Sequence, residues 1–497
     1  CKYDSIRSAR LLHLVGNQHT TTKMSSSDKE LTEDERLKGD KKKQKKEDAW
    51  KPEGPKDPFA LLKSLPETKQ QEIQRALHLF SVGPSLPKTL QQARTHTYRF
   101  WDSQPVPKLG DSSVTHGPIV EGEAAVRKEP YSLPSGFVWD TPDLSSPTVM
   151  KELCTLLSEN FEDEDDNTVR RDFSPEYLQW ALQPPNWLPQ WNCGVRVHSN
   201  NKLVGFIAAL PADVRVYETQ KRMAAVKFLC VHKKLRLKRM TPVLIRELTR
   251  RVHQQGLSQA VYSAGIVLPT PISSCRHWHR PLSPRKLTEV SYPGLRQNMN
   301  LPRALKFYRL PETTKTPGLR PLTDADVVGV HSLLQANQLR FHLSSAMSLQ
   351  EAEHWLSPRE NVVDTYVVEG EAGTLTDVVS FYSVSSSVLN HPVHTGLRAA
   401  RLLYAAGTAT DPADLMEDTL VLAKSKGFDV FCALDVMDNK SFFENLKFNI
   451  IDKSVRYYLY NWMCPDMSPD KVYFNISSMH WRMVIHTLNH LSLKQLF

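Results

Sequence analysis

Residues 225–251 read AVKFLCVHKKLRLKRMTPVLIRELTRR, and this stretch is the one that indicates the fold. The apolar run at 225–231 predicts a strand. A short basic loop follows it, and a helix is predicted at 241–256 with Pro242 in its first turn, where proline is tolerated. A strand that leads through a loop into a helix directs unpaired backbone N–H groups and a positive helix end toward the loop.

The charge of this stretch has two possible explanations. Eight Lys or Arg and one Glu lie between residues 232 and 251. Phosphate or pyrophosphate suits a basic loop at a helix N-terminus. A helix with a solvated basic face explains the same charges equally well. Charge and predicted topology alone leave both interpretations open.

The neighbouring segments predict an α/β fold with an internal repetition. Strands are predicted at 203–210, 214–217 and 260–267 around the first stretch, so the order is strand, strand, strand, helix, strand. A related order recurs later, with a helix at 412–426 and strands at 364–368, 378–384, 399–406, 430–434 and 455–460. We predict two halves that divide near residue 300. This prediction is based on the order of the elements, because residue-by-residue similarity between the halves is weak.

Size and composition are those of a globular protein. Of the 497 residues 40% are hydrophobic and 24% are charged, and the formal net charge is +9. This length suggests two or three cores. The positive charge favours an anionic partner, which could be nucleic acid, an acidic membrane surface or a phosphate-bearing cofactor.

The seven cysteines are scattered and contain no Cys-x-x-Cys pair. This argues against a zinc ribbon and a disulfide framework, and it fits a reducing compartment. No run of about 18 apolar residues predicts a membrane span. No metal site is predicted, because no His, Cys or Asp cluster has ligand spacing. The scattered cysteines and the lack of a predicted membrane span together lead us to expect a cytoplasmic protein.

Residues 1–94 are predicted to be disordered and partly helical. The part from about 20 to 58 is too polar to form a core, and 1–23 precede Met24 and are expected to be upstream translation. A basic block within it is either a solvated run or an attraction to the ribosome or an acidic membrane; its members are Lys41, Lys42, Lys43, Lys45 and Lys46. Apolar spacing at 58–80 predicts one or two short amphipathic helices.

Several segments together resemble the N-myristoyltransferase family. The run Phe228-Leu229-Cys230-Val231-His232-Lys233, with the basic loop after it, resembles the family signature. Segments 99–108, 184–197, 261–269 and 457–462 look like the same family, and the similarity covers about residues 95–472. It implies two tandem acetyltransferase-like (GNAT-type) halves around a mixed sheet. The acyl-CoA site would lie in 95–300, the peptide groove in 301–472, and 473–497 would be an atypical extension.

The resemblance also implies an activity and its residues. Myristate would move from myristoyl-CoA, a co-substrate rather than a resident cofactor, to the N-terminal glycine amine of proteins or nascent chains. The backbone N–H groups of Phe228 and Leu229 would hold the thioester oxygen, with the hydroxyl of Ser263 nearby. The acyl-CoA site would comprise Arg99, Phe100, Trp101, Phe228, Leu229, Cys230, Val231, Arg236, Leu237, Lys238, Arg239, Met240 and Thr241. The peptide site would comprise Phe161, Glu162, Asp163, Glu164, Phe173, Lys227, His277, His279, Ser386 and Asp452.

The chain departs from the family pattern at several of these positions. Lys227 replaces an Asn and would set a positive charge beside the substrate ammonium unless it is neutral or points away. A glycine-rich turn becomes residues 449–453, where Ile and Lys would be strained if φ were positive. The family's base is its C-terminal carboxylate, which would fall near Ser477, and twenty more residues follow here. Apolar residues at helical spacing in 481–491 predict an amphipathic helix.

Three interpretations remain at this point. The first is an active acyltransferase, which the retained signature and the acidic run 162–166 favour. The second is a catalytically impaired relative that binds acyl-CoA or glycine N-termini without efficient turnover. The third, a nucleic-acid-binding protein, depends only on the basic tail and the net charge. We predict the first, with no DNA partner.

Overall fold

The computed structural model describes residues 87–111, 114, 116–121, 126–161, 169–296, 299–389, 391–474 and 480–481. The predicted disordered tail, its lysine block and the helices at 58–80 lie outside these residues. So do the acidic run with Glu162, Asp163 and Glu164, and the predicted helix of the extension beyond residue 481. Within the described part, no helix is long and apolar enough to cross a bilayer.

The described strands form one mixed sheet of sixteen strands in the order β1-β3-β4-β5-β6-β14-β7-β13-β12-β11-β10-β8, with β2, β9, β15 and β16 off this path. The strands are β1 Phe137–Asp140, β2 Val169–Arg171, β3 Asn192–Val197, β4 Leu203–Val216, β5 Thr219–Val231, β6 Ala260–Ala264, β7 Ser273–Pro281, β8 Leu319–Pro321, β9 Leu343–Ser345, β10 Val363–Glu369, β11 Leu375–Val388, β12 Gly396–Gly407, β13 Val430–Leu434, β14 Asn449–Tyr460, β15 Val472–Tyr473 and β16 His480–Trp481.

The α-helices are distributed along the whole described chain. They are α1 Leu90–Arg94, α2 Pro147–Asn160, α3 Pro175–Leu182, α4 Met240–His253, α5 Pro284–Glu289, α6 Leu301–Phe307, α7 Val327–Gln338, α8 Leu349–Leu356, α9 Pro412–Ser425 and α10 Lys440–Phe443. Short 3-10 turns include Trp101–Ser103 and Lys233–Lys238. The mixed α/β class predicted from the sequence is confirmed.

The order of elements repeats, as the sequence predicts. The N-terminal repeat is β3-β4-β5-α4-β6, and the C-terminal repeat is β10-β11-β12-α9-β13. In each repeat three antiparallel strands lead through a helix to a parallel neighbour: β5 runs parallel to β6, and β12 runs parallel to β13. The repeats then exchange strands, because β14 pairs with β6 and β7 pairs with β13.

Several predicted strand boundaries are wrong: β6 ends at Ala264 rather than at 267, β11 extends over Leu375–Val388, and β14 begins at Asn449 rather than at 455. The segments predicted at 203–210 and 214–217 form the single strand β4, because Pro211 stays in register with Ala224 and does not break the strand. Residues 192–197 and 273–281 form strands that the hydrophobic pattern missed. The strand β13 agrees with its prediction to the residue, and α9 differs from its prediction by one residue at its end.

The two faces of β5 belong to different cores. Ala224, Val226 and Leu229 pack in the cluster under α4, whose buried side chains include Leu244 and Leu248. Ala225 and Phe228 pack on the opposite face. There they share a core with α2, α3, α7 and α8. The site described next lies along β5 between these cores.

Candidate active site

A β-bulge interrupts β5 at its centre. Phe206 pairs with Cys230 and Ala208 pairs with Lys227, so Ile207 faces the two residues Phe228 and Leu229. Phe228 has a φ of 50° and is fully buried. A bulky residue rarely adopts positive φ, and such strain persists only where packing enforces it. Bulges also turn backbone groups out of the ladder and are frequent beside active sites.

The strand β5 also separates from β6 just before the bulge. The two strands pair at Ala224↔Ala260 and Ala225↔Val261, and no further pairs continue toward Val231. Farther along β6, Ser263 and Ala264 pair with β16 instead, and β16 also contacts β5. Ser263 itself is fully buried and lies opposite Tyr457 of β14. The bulge therefore lies at the mouth of a split in the sheet.

On one side of the bulge an apolar cavity of about 40 Å³ lies between the sheet and α4. Its lining includes Trp101, Ile207, Val226, Ile245 and Leu248. Trp101 is 1% exposed and stacks on Tyr262, with ring centroids 5.7 Å apart. Phe100 is equally buried beside it, and Arg99 is exposed. Of the three predicted residues, Trp101 therefore lines this cavity, Phe100 is buried beside Trp101, and Arg99 does not pack into the cavity.

On the other side of the bulge an aromatic cluster surrounds Phe228. The ring centroids of Phe161 and Phe173 each lie 6.0 Å from that of Phe228, and that of Tyr177 lies 6.5 Å away. The cluster continues through Tyr382 and Trp180 to Trp355. The predicted substrate residues Phe161 and Phe173 are therefore core residues that position the bulge.

Lys227 is buried on the same side of the sheet. It lines a cavity of about 70 Å³ together with Trp180, Leu210, Trp355 and Tyr404. Its Nζ lies 5.1 Å from the centroid of the Trp355 ring, and its side chain is 6% exposed. Burial lowers the pKa of Lys227 to about 7. About half of the Lys227 amines are therefore neutral at pH 7, and the neutral form does not repel a substrate ammonium.

The basic loop is anchored to the end of α2. Arg236 is buried and donates from Nη2 to the Asn160 carbonyl at 2.8 Å, and the Lys233 N–H donates to the Asn160 side chain at 2.9 Å. Lys238 is exposed, and Arg239 adopts a left-handed φ of 56° directly before α4. The backbone of Leu237 lies in the same 3-10 turn. The loop therefore exposes charge at Lys233, Lys234 and Lys238, whereas Arg239 is half-buried.

Two of the eight basic residues counted in the sequence serve the fold instead. Glu247, fully buried in α4, accepts from Arg250 at 2.6 Å and from Arg251 at 3.0 Å. It also accepts from the Tyr131 N–H at 3.1 Å. Burial acts to raise the pKa of Glu247, but the hydrogen bonds from both arginines outweigh it and lower the pKa. The basic face of α4 is thus less available to a ligand than its charge suggests.

The remaining predicted acyl-CoA residues are core residues. Met240 and Thr241 are buried in the first turn of α4, and Val231 is buried at the end of β5. The thiol of Cys230 donates to the Leu156 carbonyl at 3.8 Å, and burial raises its pKa to about 12, so it is a thiol rather than a thiolate. The six described cysteines are free and buried. Among the described residues no cluster of His, Cys, Asp or Glu could hold a metal ion.

Three of the four predicted groove residues of the later segments lie close together and Ser386 lies apart from them: the rings of His277 and His279 are 6.2 Å apart, and Ile451, the neighbour of Asp452, pairs with His277. His277 lines a cavity of about 20 Å³ with Arg401, Cys432 and Tyr457. His279 is hydrogen-bonded to the Tyr292 hydroxyl at 2.8 Å. Burial lowers the pKa of His279 to about 3. None of these residues lines the cavity around Lys227.

Ser386 and Asp452 complete this set. Ser386 pairs with Arg171, where β2 joins the end of β11. Asp452 is exposed at a register shift of β14 between Ile451 and Ser454. The backbone at 449–453 has no positive φ, so the strain expected from Ile and Lys in a glycine-type turn is absent there. The segment is a bulged strand instead of a turn.

Sequence reasoning missed the residues that enclose Lys227. Trp180, Trp355, Tyr404 and Phe474 come from four distant segments, and no motif links them. A high local content of Trp and Tyr was the only signal available, and such residues are more often plain core. Their convergence depends on the tertiary fold.

Comparison with known proteins shows which family the chain resembles. The family model "Myristoyl-CoA:protein N-myristoyltransferase, N-terminal domain" matches residues 119–275, and the corresponding C-terminal domain model matches residues 289–479. Glycylpeptide N-tetradecanoyltransferase 2 of Danio rerio is 57% identical over 409 residues, which are 82% of this chain and 83% of the relative. The protein of the same name from Bos taurus is 53% identical over 82% of each chain.

A solved structure agrees with these relatives. The crystal structure of Saccharomyces cerevisiae N-myristoyltransferase with bound myristoyl-CoA matches with a TM-score of 0.72 and 36% identity. The match covers 75% of this chain and 94% of the yeast chain. The chain therefore belongs to the N-myristoyltransferase family.

Proposed function

We propose that the chain transfers myristate from myristoyl-CoA to the N-terminal glycine amine of other proteins. The observation that carries this proposal is the bulge at Phe228 and Leu229, located between an apolar cavity and a second cavity that contains a buried amine. The named relatives are transferases of this kind. None of these findings favours a catalytically impaired relative over an active enzyme.

The chemistry requires a donor for the thioester oxygen. When the amine attacks the carbonyl carbon, negative charge develops on that oxygen, and one well-placed donor stabilises it by roughly 3 kcal/mol. We assign this role to the backbone N–H groups of Phe228 and Leu229. The bulge and the positive φ of Phe228 support the assignment, because both turn backbone groups away from regular ladder pairing. Ser263, buried on the neighbouring strand β6, would border the same point.

The two sides of β5 would then hold different parts of the substrates. The cavity under α4 suits part of the hydrocarbon chain, because most of its lining residues are apolar or aromatic, although Thr249, His253, Ser258 and Gln259 also line it. Lys238, Arg239 and the start of α4 suit the phosphates of coenzyme A, through charge and free helical N–H groups. The glycine amine would approach from the side of Lys227. The aromatic cluster would keep the Phe228 backbone rigid in this arrangement.

The test is transfer of labelled myristate from myristoyl-CoA to a peptide that begins with glycine and carries a lysine a few residues later. The matched control is the same peptide with an acetylated N-terminus, which leaves the lysine as the only free amine. We expect label on the first peptide and none on the second. If neither peptide is labelled although myristoyl-CoA binds, the proposed transferase function is wrong. Label on both would indicate a different acceptor.

We also propose that the protein acts in the cytosol and meets nascent chains or acidic membranes through the lysine block at 41–46. The charge of this block supports the idea. Cosedimentation of the full chain with ribosomes, and separately with vesicles containing phosphatidylserine, tests it against a variant with all five lysines changed to alanine. Equal sedimentation of both chains would argue against a role for the block.

A further inference from the structure

The bulge places a lysine directly beside the backbone that we assign to the thioester oxygen. In a regular strand consecutive side chains face opposite sides. Here Phe228 packs with Ala225 in one core and Leu229 packs in the other. Lys227 lines a cavity together with Ala225, so Lys227 and Phe228 face the same side. Lys227 keeps the regular alternation of the strand, and the extra residue of the bulge brings Phe228 to the same side. The lysine therefore lies on the side from which we propose that the amine approaches.

Transfer to an amine requires a proton acceptor at this point. An α-amino group has a pKa of about 8, so most N-termini are ammonium ions at pH 7 and cannot attack. In the reaction, the nitrogen forms a bond to the thioester carbon and the carbon–sulfur bond breaks. The nitrogen loses two protons in all: the ammonium gives the first to a base before the attack, and the second passes to the sulfur, so that coenzyme A leaves as a thiol. A base within reach of the nitrogen contributes about 100-fold to 10,000-fold in rate.

We propose that Lys227 is this general base: its neutral amine accepts the proton of the substrate's N-terminal ammonium and so frees the nitrogen to attack the thioester carbon. This inference rests on the transferase function proposed above. It gives Lys227 a chemical role in addition to its predicted place in the peptide site.

The surroundings of Lys227 suit a proton acceptor. Burial lowers its pKa to about 7, close to the pKa of an α-amino group, so proton transfer between the two is nearly balanced. The ring of Trp355 lies 5.1 Å from Nζ and would stabilise the protonated lysine through a cation–π contact. The cavity walls from Trp180, Leu210 and Phe474 are apolar and limit the access of water.

Other titratable groups lie at or beside this cavity: Glu351 and Tyr404 line it, and the ring of His354 lies next to that of Trp355. Glu351 accepts hydrogen bonds from the Ser348 N–H at 2.8 Å and the Ser348 hydroxyl at 3.0 Å, so it caps α8. The Nε2 of His354 lies 2.7 Å from the Trp180 carbonyl. Burial lowers the pKa of His354 to about 4, so it is neutral at pH 7. Tyr404 is a phenol and lines the same cavity. Lys227 is the group among these whose pKa lies near neutrality.

The test is the pH dependence of kcat/KM for the full chain, for Lys227→Met and for the control Lys221→Met. Lys221 is exposed on the same strand β5. We expect the unaltered chain and Lys221→Met to lose activity in acid with a midpoint near pH 7. In Lys227→Met the midpoint should move to that of the peptide's own amine, near 8, and the rate at pH 7 should fall about 100-fold or more. The affinity for myristoyl-CoA, measured by calorimetry, should change by less than about threefold because the base does not contact coenzyme A.

Two results distinguish a wrong assignment of the base from a wrong proposed function. If Lys227→Met keeps the midpoint near pH 7 and a rate within about threefold of the unaltered chain, Lys227 is not the base and the transferase function stands. If the unaltered chain binds myristoyl-CoA but transfers nothing at any pH, the proposed function fails. Should Lys227→Met not fold, Lys227→Gln replaces it. A direct NMR titration of the Lys227 ε-carbon, assigned with Lys227→Arg, then decides: a midpoint near 7 supports the base, and one near 10 overturns it.

Discussion

The N-terminal and C-terminal repeats share their topology but differ at two corresponding places, the bulge before the helix and the loop that leads into the helix. Both carry a bulge in the strand before the helix, at Phe228 of β5 and at Leu403 of β12. Phe228 has positive φ and Leu403 does not. After the strand the N-terminal repeat has the basic turn Lys233–Lys238, whereas the C-terminal repeat enters α9 through the acidic cap Asp411. Anion binding therefore depends on the charge of one loop and not on the shared fold.

The helices of the two repeats are also anchored by different chemistry. In α4 the buried carboxylate of Glu247 accepts from two arginine side chains and one backbone N–H. In α9 the buried carboxylate of Asp418 accepts from the Lys315 and Thr316 N–H groups at 2.9 and 2.8 Å. A cluster of opposite charges therefore anchors α4, whereas a carboxylate that accepts from two backbone N–H groups anchors α9. The two should respond differently to the loss of charge.

The largest effect is expected for Glu247→Gln, because two arginines then remain buried without a compensating charge. Breaking such a cluster costs about 3–5 kcal/mol of unfolding free energy, measured by urea denaturation. The pKa of Glu247 is lowered in the folded state, so its contribution is present above the unfolded pKa near 4.5 and is lost as the pH falls below it. Glu247→Gln should lack this acid-sensitive component. Unchanged stability at pH 7 would show that the cluster is not an anchor.

A smaller loss is expected for Asp418→Asn. The amide retains one acceptor oxygen, so one of the two backbone donors loses its partner at a cost of about 1–3 kcal/mol. The matched control is Asp414→Asn in the same helix, where the exposed ion pair with Lys315 should contribute less than about 1 kcal/mol. Equal losses for both variants would mean that burial of Asp418 is not the reason for its effect.

The third prediction concerns the split between β5 and β6, where β16 pairs with Ser263 and Ala264. We expect a chain that stops after Ser477 to bind myristoyl-CoA about tenfold more tightly, because the tethered strand β16 no longer occupies the split beside the bulge that we assign to the thioester oxygen. The comparable position beside β12 and β13 holds a cavity lined by Arg401, Cys432 and other side chains. The measurement is the affinity for myristoyl-CoA by calorimetry, which does not depend on a base that the new terminal carboxylate could supply. An equal or lower value in the shortened chain would contradict the competition.

The smallest effects should come from the basic loop. Lys238→Ala and Arg239→Gly should each raise KM for myristoyl-CoA about threefold to tenfold, and added salt should reduce the difference because exposed charges are screened. Arg239→Gly also removes a side chain at positive φ, so unfolding free energy should change by less than about 1 kcal/mol. Asp414→Ala is the control in the other repeat. A salt-independent KM would exclude a phosphate contact.

The elements of the fold could be predicted where side chains were apolar and periodic. The strand at 430–434 and the helix from Pro412 agree with the structure. By contrast β7 has the polar sequence Ser-Ser-Cys-Arg-His-Trp-His-Arg-Pro and forms a strand because it lies between β13 and β14. That pairing is set by tertiary context, which local propensity does not contain.

The sequence predicted which chain segment carries the candidate site, but it did not predict the geometry of that site. The run Phe228 to Val231 could be identified from the signature alone. The positive φ of Phe228 could not, because Phe in a hydrophobic run indicates a regular strand. The lowered pKa of Lys227 could not be predicted either, since its burial depends on Trp180 and Trp355 from distant segments.

The exchanged strands determine when this protein can fold during synthesis. The N-terminal repeat is completed by β14, where Tyr262 pairs with Tyr458, so its sheet cannot close until almost the whole chain has left the ribosome. Until then β6 presents an open edge, which is prone to wrong pairing. Such late, long-range closure slows folding and exposes intermediates to aggregation. Fragments that end between the repeats should therefore accumulate as chaperone-bound or insoluble chains rather than as independent domains.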